Sequence, residues 1–114
     1  MKRILVTGSG GIGGVNFIRA LKQFPDKFFI VGTDFNKYYL QFGDLDERVI
    51  SPKHTDANFI PLLNKLTKQH KIEFLHPQPS SESLIVSQNL DKISTKTLLP
   101  KPNIISNVTR SSLL

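Results

Sequence analysis

The sequence predicts an α/β domain, a parallel sheet with helices on both faces. Three observations carry this expectation. The apolar pattern switches repeatedly between strand and helix periods along the chain. Phe28 to Gly32 is a continuous apolar run, as expected of a strand buried on both faces of a parallel sheet. Gly8-Ser9-Gly10-Gly11-Ile12-Gly13-Gly14 then holds five of the seven glycines, between the apolar run Ile4-Leu5-Val6 and the amphipathic stretch Val15 to Leu21. Strand, glycine turn and helix in that order make an anion site, because glycines let backbone approach a ligand and the helix start offers free N–H groups.

The elements run in order along the chain. Lys2 to Thr7 reads as a first strand, and Gly13 to Gln23 as a first helix with Phe17, Leu21 and Phe24 on one face beside Ile18. Pro25-Asp26 marks a turn before the second strand, which ends in Thr33-Asp34. Asn36 to Phe42 predicts a short helix stopped at Gly43, and Arg48 to Ser51 a brief third strand ended by Pro52. Asn58 to His70 predicts a helix with Phe59, Leu62, Leu63 and Leu66 at helical spacing. Pro61 must lie in its first turn, so Asn58 is a better N-cap than Asp56. Lys71 to His76 reads as a fourth strand, Pro77 to Glu82 as a stiff loop, and Ser81 to Leu90 as a helix. Thr97 to Leu99 predicts a fifth strand before Pro100-Lys101-Pro102, and 104–114 is weakly patterned. Such a fold places ligands beyond the carboxyl ends of its strands. The glycine loop, Thr33 to Asn36 and His76 to Glu82 should therefore share one edge.

A chain of 114 residues with 39% apolar and 21% charged residues is in the range of one ordinary globular domain with a modest core. Zero cysteines exclude disulfides and thiolate metal sites. No apolar run approaches the about 20 residues needed to cross a bilayer, and the expected location is cytoplasmic. The net charge of +6 comes from fifteen Lys and Arg scattered singly, with Lys2-Arg3 the one adjacent pair. A nucleic-acid surface usually gathers its basic residues on one face, so no nucleic-acid partner is expected.

Within the glycine loop, Gly8, Gly10 and Gly13 satisfy a G-x-G-x-x-G spacing, and Gly8, Gly11 and Gly14 a G-x-x-G-x-x-G spacing. The candidate phosphate- or substrate-binding residues are Gly8, Ser9, Gly10, Gly11, Ile12 and Gly13. A purely structural tight turn is the alternative. Asp34, 26 positions after Gly8, can accept hydrogen bonds from ribose hydroxyls, or can make a local turn with Asn36. Glu82 either complements a helix start capped by Ser80 or faces a ligand. His76 has no partner at metal-ligand spacing, and His54 and His70 read as surface residues. Neither catalytic residues nor metal ligands are expected, since no Ser/His/Asp grouping, paired-carboxylate motif or G-K-[ST] element occurs.

Ile4 to Gly11 with Asn16 to Leu21, Val31 to Asp34 with Asn36, and Asp44 to Glu47 carry a resemblance. Pro77-Gln78-Pro79-Ser80-Ser81-Glu82, its most telling part, and Leu99 to Pro102 extend it. The chain resembles the N-terminal (pre-ATP-grasp) domain of ATP-grasp ligases, and looks closest to carbamoyl-phosphate synthase large-subunit-like proteins. This implies a Rossmann-like, biotin carboxylase N-terminal domain-like fold over residues 1–114, packed against a later ATP-grasp domain of a parent ligase. It implies no cofactor in this chain itself. ATP and Mg²⁺ would be held mainly by the later domain, and the substrate would be a small carboxylate or a bicarbonate-like molecule. Gly8 to Gly13 and Glu82 would line the substrate side, with Asp34 nearby. The family's ATP-binding lysines and Mg²⁺ carboxylates have no counterpart here, and 109–114 lacks the lysine common after the last strand. Catalysis of ligation by these residues alone is therefore not expected, and self-association is plausible through the surface a partner domain would cover.

Two rivals remain from the sequence. An NAD(P)-binding domain of short-chain dehydrogenase/epimerase type fits Thr7-Gly8 with Gly11 and Gly14. Neither Tyr38 nor Tyr39 has a lysine four positions later, so the Tyr-x-x-x-Lys pair of that type is absent. The other rival is a non-enzymatic interaction module that keeps the fold without the ligand.

Overall fold

The computed structural model describes residues 1–24 and 27–99. The turn expected at Pro25-Asp26, the segment Pro100-Lys101-Pro102 and residues 104–114 lie outside them. The elements run β1 (Lys2–Thr7), α1 (Ile12–Leu21), β2 (Phe28–Asp34), β3 (Glu47–Ile50), α2 (Phe59–Gln69), β4 (Phe74–Pro77), α3 (Ser80–Gln88) and β5 (Lys96–Thr97). The strands form a sheet of order β3-β2-β1-β4-β5. Every pair is parallel, with Thr7 beside Thr33 and Pro77, and Asp34 beside Ile50. The expected α/β fold, a Rossmann-like parallel sheet with helices on both faces, is what the chain adopts.

Strand alternation divides the core in two. Ile4, Val6 and Ile30 pack with Ile18 and Leu21 of α1, and with Leu40 and Leu45 of the segment after β2. Leu5, Val31 and Leu75 pack on the other side with Phe59, Leu63 and Leu66 of α2 and Val86 of α3. Both faces of β1 and β2 are thus covered, which is why these strands carry unbroken apolar runs.

The boundaries shift where local chemistry decides them. Asn58 is the N-cap of α2 as expected, but its side chain makes no cap bond. Asp56 instead accepts the Asn58 N–H at 2.8 Å. Lys71, expected inside the fourth strand, has φ 53° and turns the chain, so β4 starts three residues later. The short helix expected over Asn36 to Phe42 contracts to a single 3₁₀ turn, Tyr39–Gln41, entered through Asn36, whose side chain accepts the Tyr38 and Tyr39 N–H groups. Arg48 secures the stretch between this turn and β3, donating to the carbonyls of Leu40, Gly43 and Leu45.

The start of α1 lies on the preceding loop more closely than any side chain allows. A Cβ on Gly14 would stand 2.4 Å from the Gly8 carbonyl oxygen and 2.8 Å from the Ser9 Cα. Both are backbone atoms that cannot swing aside. Gly14→Ala is therefore expected to destabilise the fold by about 2 kcal/mol, despite alanine's better helix propensity. Urea unfolding checks this, and an unchanged midpoint would contradict the packing.

Candidate functional site

The carboxyl ends of β1, β2 and β4 bring the three expected loops together. Gly8 leaves β1 with φ 61°, a left-handed conformation that favours glycine, and Pro79 from the β4–α3 loop occupies the space of its missing side chain. The Gly11 N–H donates back to the Gly8 carbonyl at 3.2 Å, closing the turn. The Ser9 N–H and hydroxyl both donate to the Thr33 carbonyl, at 3.0 and 3.3 Å. Gly10 is buried beneath the Tyr39 backbone.

Gly11, Ile12 and Gly13 are exposed at the helix start. Gly11 is the N-cap of α1 and supplies no side-chain cap, and the first turn holds no acidic residue. The Gly11 N–H is taken by the Gly8 carbonyl, whereas the Ile12 and Gly13 N–H groups have no intrahelical acceptors and point beyond the helix start. A Cβ on Gly11 would meet only the Gly8 carbonyl, at 3.7 Å. The approach to these donors is therefore open. A hollow of about 620 Å³ lies beside them, lined in part by Gly10, Ile12, Val15, Tyr39 and Phe42. The Ile12 side chain is 85% exposed, so at the loop this residue offers its backbone and an apolar surface.

Asp34 is buried at the end of β2. One carboxylate oxygen accepts the Gly10 N–H at 3.1 Å and the other the Asn36 N–H at 3.0 Å. The local turn with Asn36 therefore forms, and the same carboxylate reaches the glycine loop. Each oxygen keeps a lone pair for a further donor.

Glu82 does not sit on a solvated helix end. It is 3% exposed, and α3 starts from Pro79 without a side-chain cap from Ser80. Burial drives its pKa above the ordinary 4.5; the nearby Thr7 hydroxyl opposes this, Asp34 adds to it and His54 opposes it. Thr7 approaches without completing a hydrogen bond of full geometry. The buried atoms Thr7 Oγ1, Thr33 Oγ1, Ser51 Oγ and Glu82 Oε1 all lack a partner. Thr7 and Thr33 are adjacent in register, and the Ser51 N–H donates to the Asp34 carbonyl, so all of these groups gather at the same edge. The sequence put Thr7 beside the glycine motif and Thr33 on this edge without marking either hydroxyl as a site group, and left Ser51 unmarked. Their signal was a hydroxyl residue two positions beyond Leu5, Val31 and Val49, on the alternation of one core face.

His76 belongs to no group of three potential metal ligands among the described residues. Its ring stacks on Phe17 at 3.9 Å and 14°. Gln78, also missed, lies against Gly13.

No protein-family model and no curated protein matches this chain. Solved structures do. dTDP-glucose 4,6-dehydratase from Bacillus anthracis, in complex with NAD, matches over 81% of this chain and 34% of its own, at 17% identity and TM-score 0.59. The chain thus spans about a third of that enzyme's length. UDP-D-quinovosamine 4-dehydrogenase from Vibrio fischeri matches over 92% of this chain and 84% of its own, at 19% identity and TM-score 0.57. At these identities the likeness is one of fold.

These neighbours correct the resemblance to ATP-grasp ligases and the carbamoyl-phosphate synthase-like, ligase reading drawn from it. They are dehydratase and dehydrogenase structures, one of them holding NAD, where the resemblance implied ATP and Mg²⁺ for a parent enzyme. The physical reason lies in the element that carried most of the resemblance. Pro79 fills the space over Gly8 and Gln78 the space beside Gly13, so these two residues of the segment are accounted for by packing on the glycine loop. Among the described residues, no helix is long and apolar enough to cross a membrane, the part of the cytoplasmic expectation that the fold bears on.

Two outcomes are expected from this geometry. Gly11→Val should abolish anion binding at the helix start while costing only about 1 kcal/mol of stability, because the new side chain meets open space. Retained binding, measured by calorimetry with sulfate or NAD⁺, would remove the loop from the site. Glu82 binds its proton more tightly folded than unfolded, so stability falls as pH rises from the ordinary value toward the raised one and then levels. Glu82→Gln should erase that slope and raise Tm at neutral pH. Melts across a pH series that keep the slope would refute the assignment.

Proposed function

We propose that this chain is an NAD(P)-binding Rossmann domain of short-chain dehydrogenase/epimerase type, with the glycine loop and Asp34 as its cofactor site. The observation that carries the reading is the Gly10 to Asp34 hydrogen bond at 3.1 Å, which joins the glycine loop to the carboxylate ending β2. In dinucleotide folds the pyrophosphate rests on the first helix start, and an acidic residue after β2 takes the ribose hydroxyls. The fold neighbour crystallised with NAD supports the same reading.

The residues present fit that group. Uncapped N–H groups at Ile12 and Gly13 suit a pyrophosphate, and the missing side chain at Gly11 leaves its approach open. Asp34 holds lone pairs for ribose hydroxyls, and its negative charge disfavours a 2′-phosphate, which makes NAD the preferred form over NADP. The orphaned hydroxyls of Thr7, Thr33 and Ser51 and the Glu82 carboxyl supply further hydrogen-bonding capacity at this edge. A bound nicotinamide supplies hydride transfer. Neither tyrosine has a lysine four positions on, so these residues are assigned binding and orientation rather than proton transfer.

Ligand that binds only the folded state stabilises it by about 2.7 kcal/mol at a hundredfold excess over Kd. NAD⁺ or NADH is therefore expected to raise Tm by several degrees, NADP⁺ by less, and Asp34→Ala to reduce the NAD shift. No shift with any of these cofactors would overturn the reading and leave a fold without this ligand.

A further inference from the structure

The fifteen Lys and Arg stand almost singly along the chain, and the fold gathers most of them at one end. All strands of a parallel sheet start at the same edge, and the helices that return the chain end there. Lys2 opens β1, Lys27 precedes β2, Lys71 precedes β4 and Lys96 opens β5. Lys22 follows α1, Lys68 lies in the last turn of α2, and Lys92 follows α3. All of these lysines are exposed. Of the carboxylates near this end, Asp44 pairs with Lys22 at 3.5 Å, the one ion pair among the described residues. Glu73 accepts the Arg3 N–H and Asp46 the Ile30 N–H, which leaves Asp91 beside Lys92. Cations outnumber carboxylates at this edge.

Helix dipoles account for part of the pattern, since Lys22, Lys68 and Lys92 complement negative helix ends. A sheet has only a small net dipole, so Lys2, Lys71 and Lys96 at strand starts serve the fold in no such way. Two large apolar side chains stand among these lysines. Phe24, past the end of α1, is 60% exposed, and Leu90, past the end of α3, is 47% exposed. Neither belongs to the two core clusters. The rings that could stack on nucleic-acid bases are half-buried and covered, with Arg3 over Phe29 at 4.1 Å and Lys2 over Phe74 at 5.8 Å. Along the last turns of α2, a hollow of about 630 Å³ is lined in part by Lys65, Lys68, Gln69 and Ser94, with no carboxylate in its wall.

We propose that this amino edge of the sheet is a docking surface for an anionic lipid bilayer, with Phe24 and Leu90 entering the headgroup layer and the lysines facing the lipid phosphates and carboxylates. Cations with apolar side chains set among them are the chemistry of interfacial binding, where apolar burial and electrostatic attraction add. The hollow beside Lys65 and Lys68 admits one headgroup. The glycine loop and Asp34 lie at the opposite ends of β1 and β2, so the docked chain keeps its candidate cofactor site toward water. The surface does not depend on what the glycine loop binds.

Co-sedimentation of the whole chain with vesicles tests this, phosphatidylcholine alone against phosphatidylcholine mixed with phosphatidylserine. Binding is expected only to the mixed vesicles, and should fall as salt screens the lysines. Lys71→Asn with Lys96→Gln, the first keeping a residue suited to φ 53°, should weaken it about thirtyfold, at about 1 kcal/mol per lysine. Lys37→Gln with Lys53→Gln removes the same net charge from the carboxyl edge and should leave binding nearly unchanged. Phe24→Ser alters no charge and should weaken binding about tenfold through lost apolar burial. Equal losses in the two lysine pairs, or an unaffected Phe24→Ser, overturn the proposal. So does an absence of binding to the mixed vesicles, and so does binding to a DNA duplex in their place.

Discussion

The site depends on one carboxylate. Asp34 accepts the Gly10 N–H from the loop after β1 and the Asn36 N–H from the segment after β2. Buried as it is, it fixes both loops to each other and to the end of the sheet. With Gly10 held inward, the next residues turn outward, and Gly11, Ile12 and Gly13 present their backbone at the helix start. Ser9, tied to the Thr33 carbonyl through both N–H and hydroxyl, reinforces the same junction. The glycine loop is shaped by its neighbour strand as much as by its own conformational freedom.

Around that junction the edge divides by face. On the α1 side lies an apolar hollow with Tyr39 and Phe42. On the α2 and α3 side lie the partnerless hydroxyls of Thr7, Thr33 and Ser51 with Glu82. A buried polar atom without a partner costs about 1–3 kcal/mol, so these four atoms mark the polar side of the edge as the place where hydrogen-bonding capacity is concentrated. The apolar hollow and the polar edge flank opposite sides of the loop, as suits a ligand with both an aromatic and a hydroxylated part.

The fold was legible because its signals are local. Periodicity in Phe28 to Gly32 and in Phe59 to Leu66, and the glycine cluster between strand and helix, each depend on residues close in sequence. Asp34 was legible for the same reason, standing at a strand end a fixed distance from the glycines. Glu82, read as a helix-end charge or a ligand contact, proved buried among groups from β1 and the β3–α2 loop, which no local pattern reports. Gln78 is legible only when β4 is known to lie beside β1, bringing its amide over Gly13. The Pro77 to Glu82 segment misled for a related reason. In a motif that looks specific to one ligase family, Gln78 and Pro79 serve here to pack against Gly13 and Gly8. The two structural neighbours, at 17% and 19% identity, share the fold and are a dehydratase and a dehydrogenase.

The central claim is that the loop after β1 and the carboxylate after β2 form one nucleotide site. Amide ¹H–¹⁵N spectra of the whole chain during a titration with NAD⁺ test it most directly. The account predicts saturable shifts at Gly10 to Gly14, Asp34 and Asn36, with β3 and the far end of α2 unmoved. Saturable binding that shifts other residues and leaves Gly10 to Gly14 in place would contradict it.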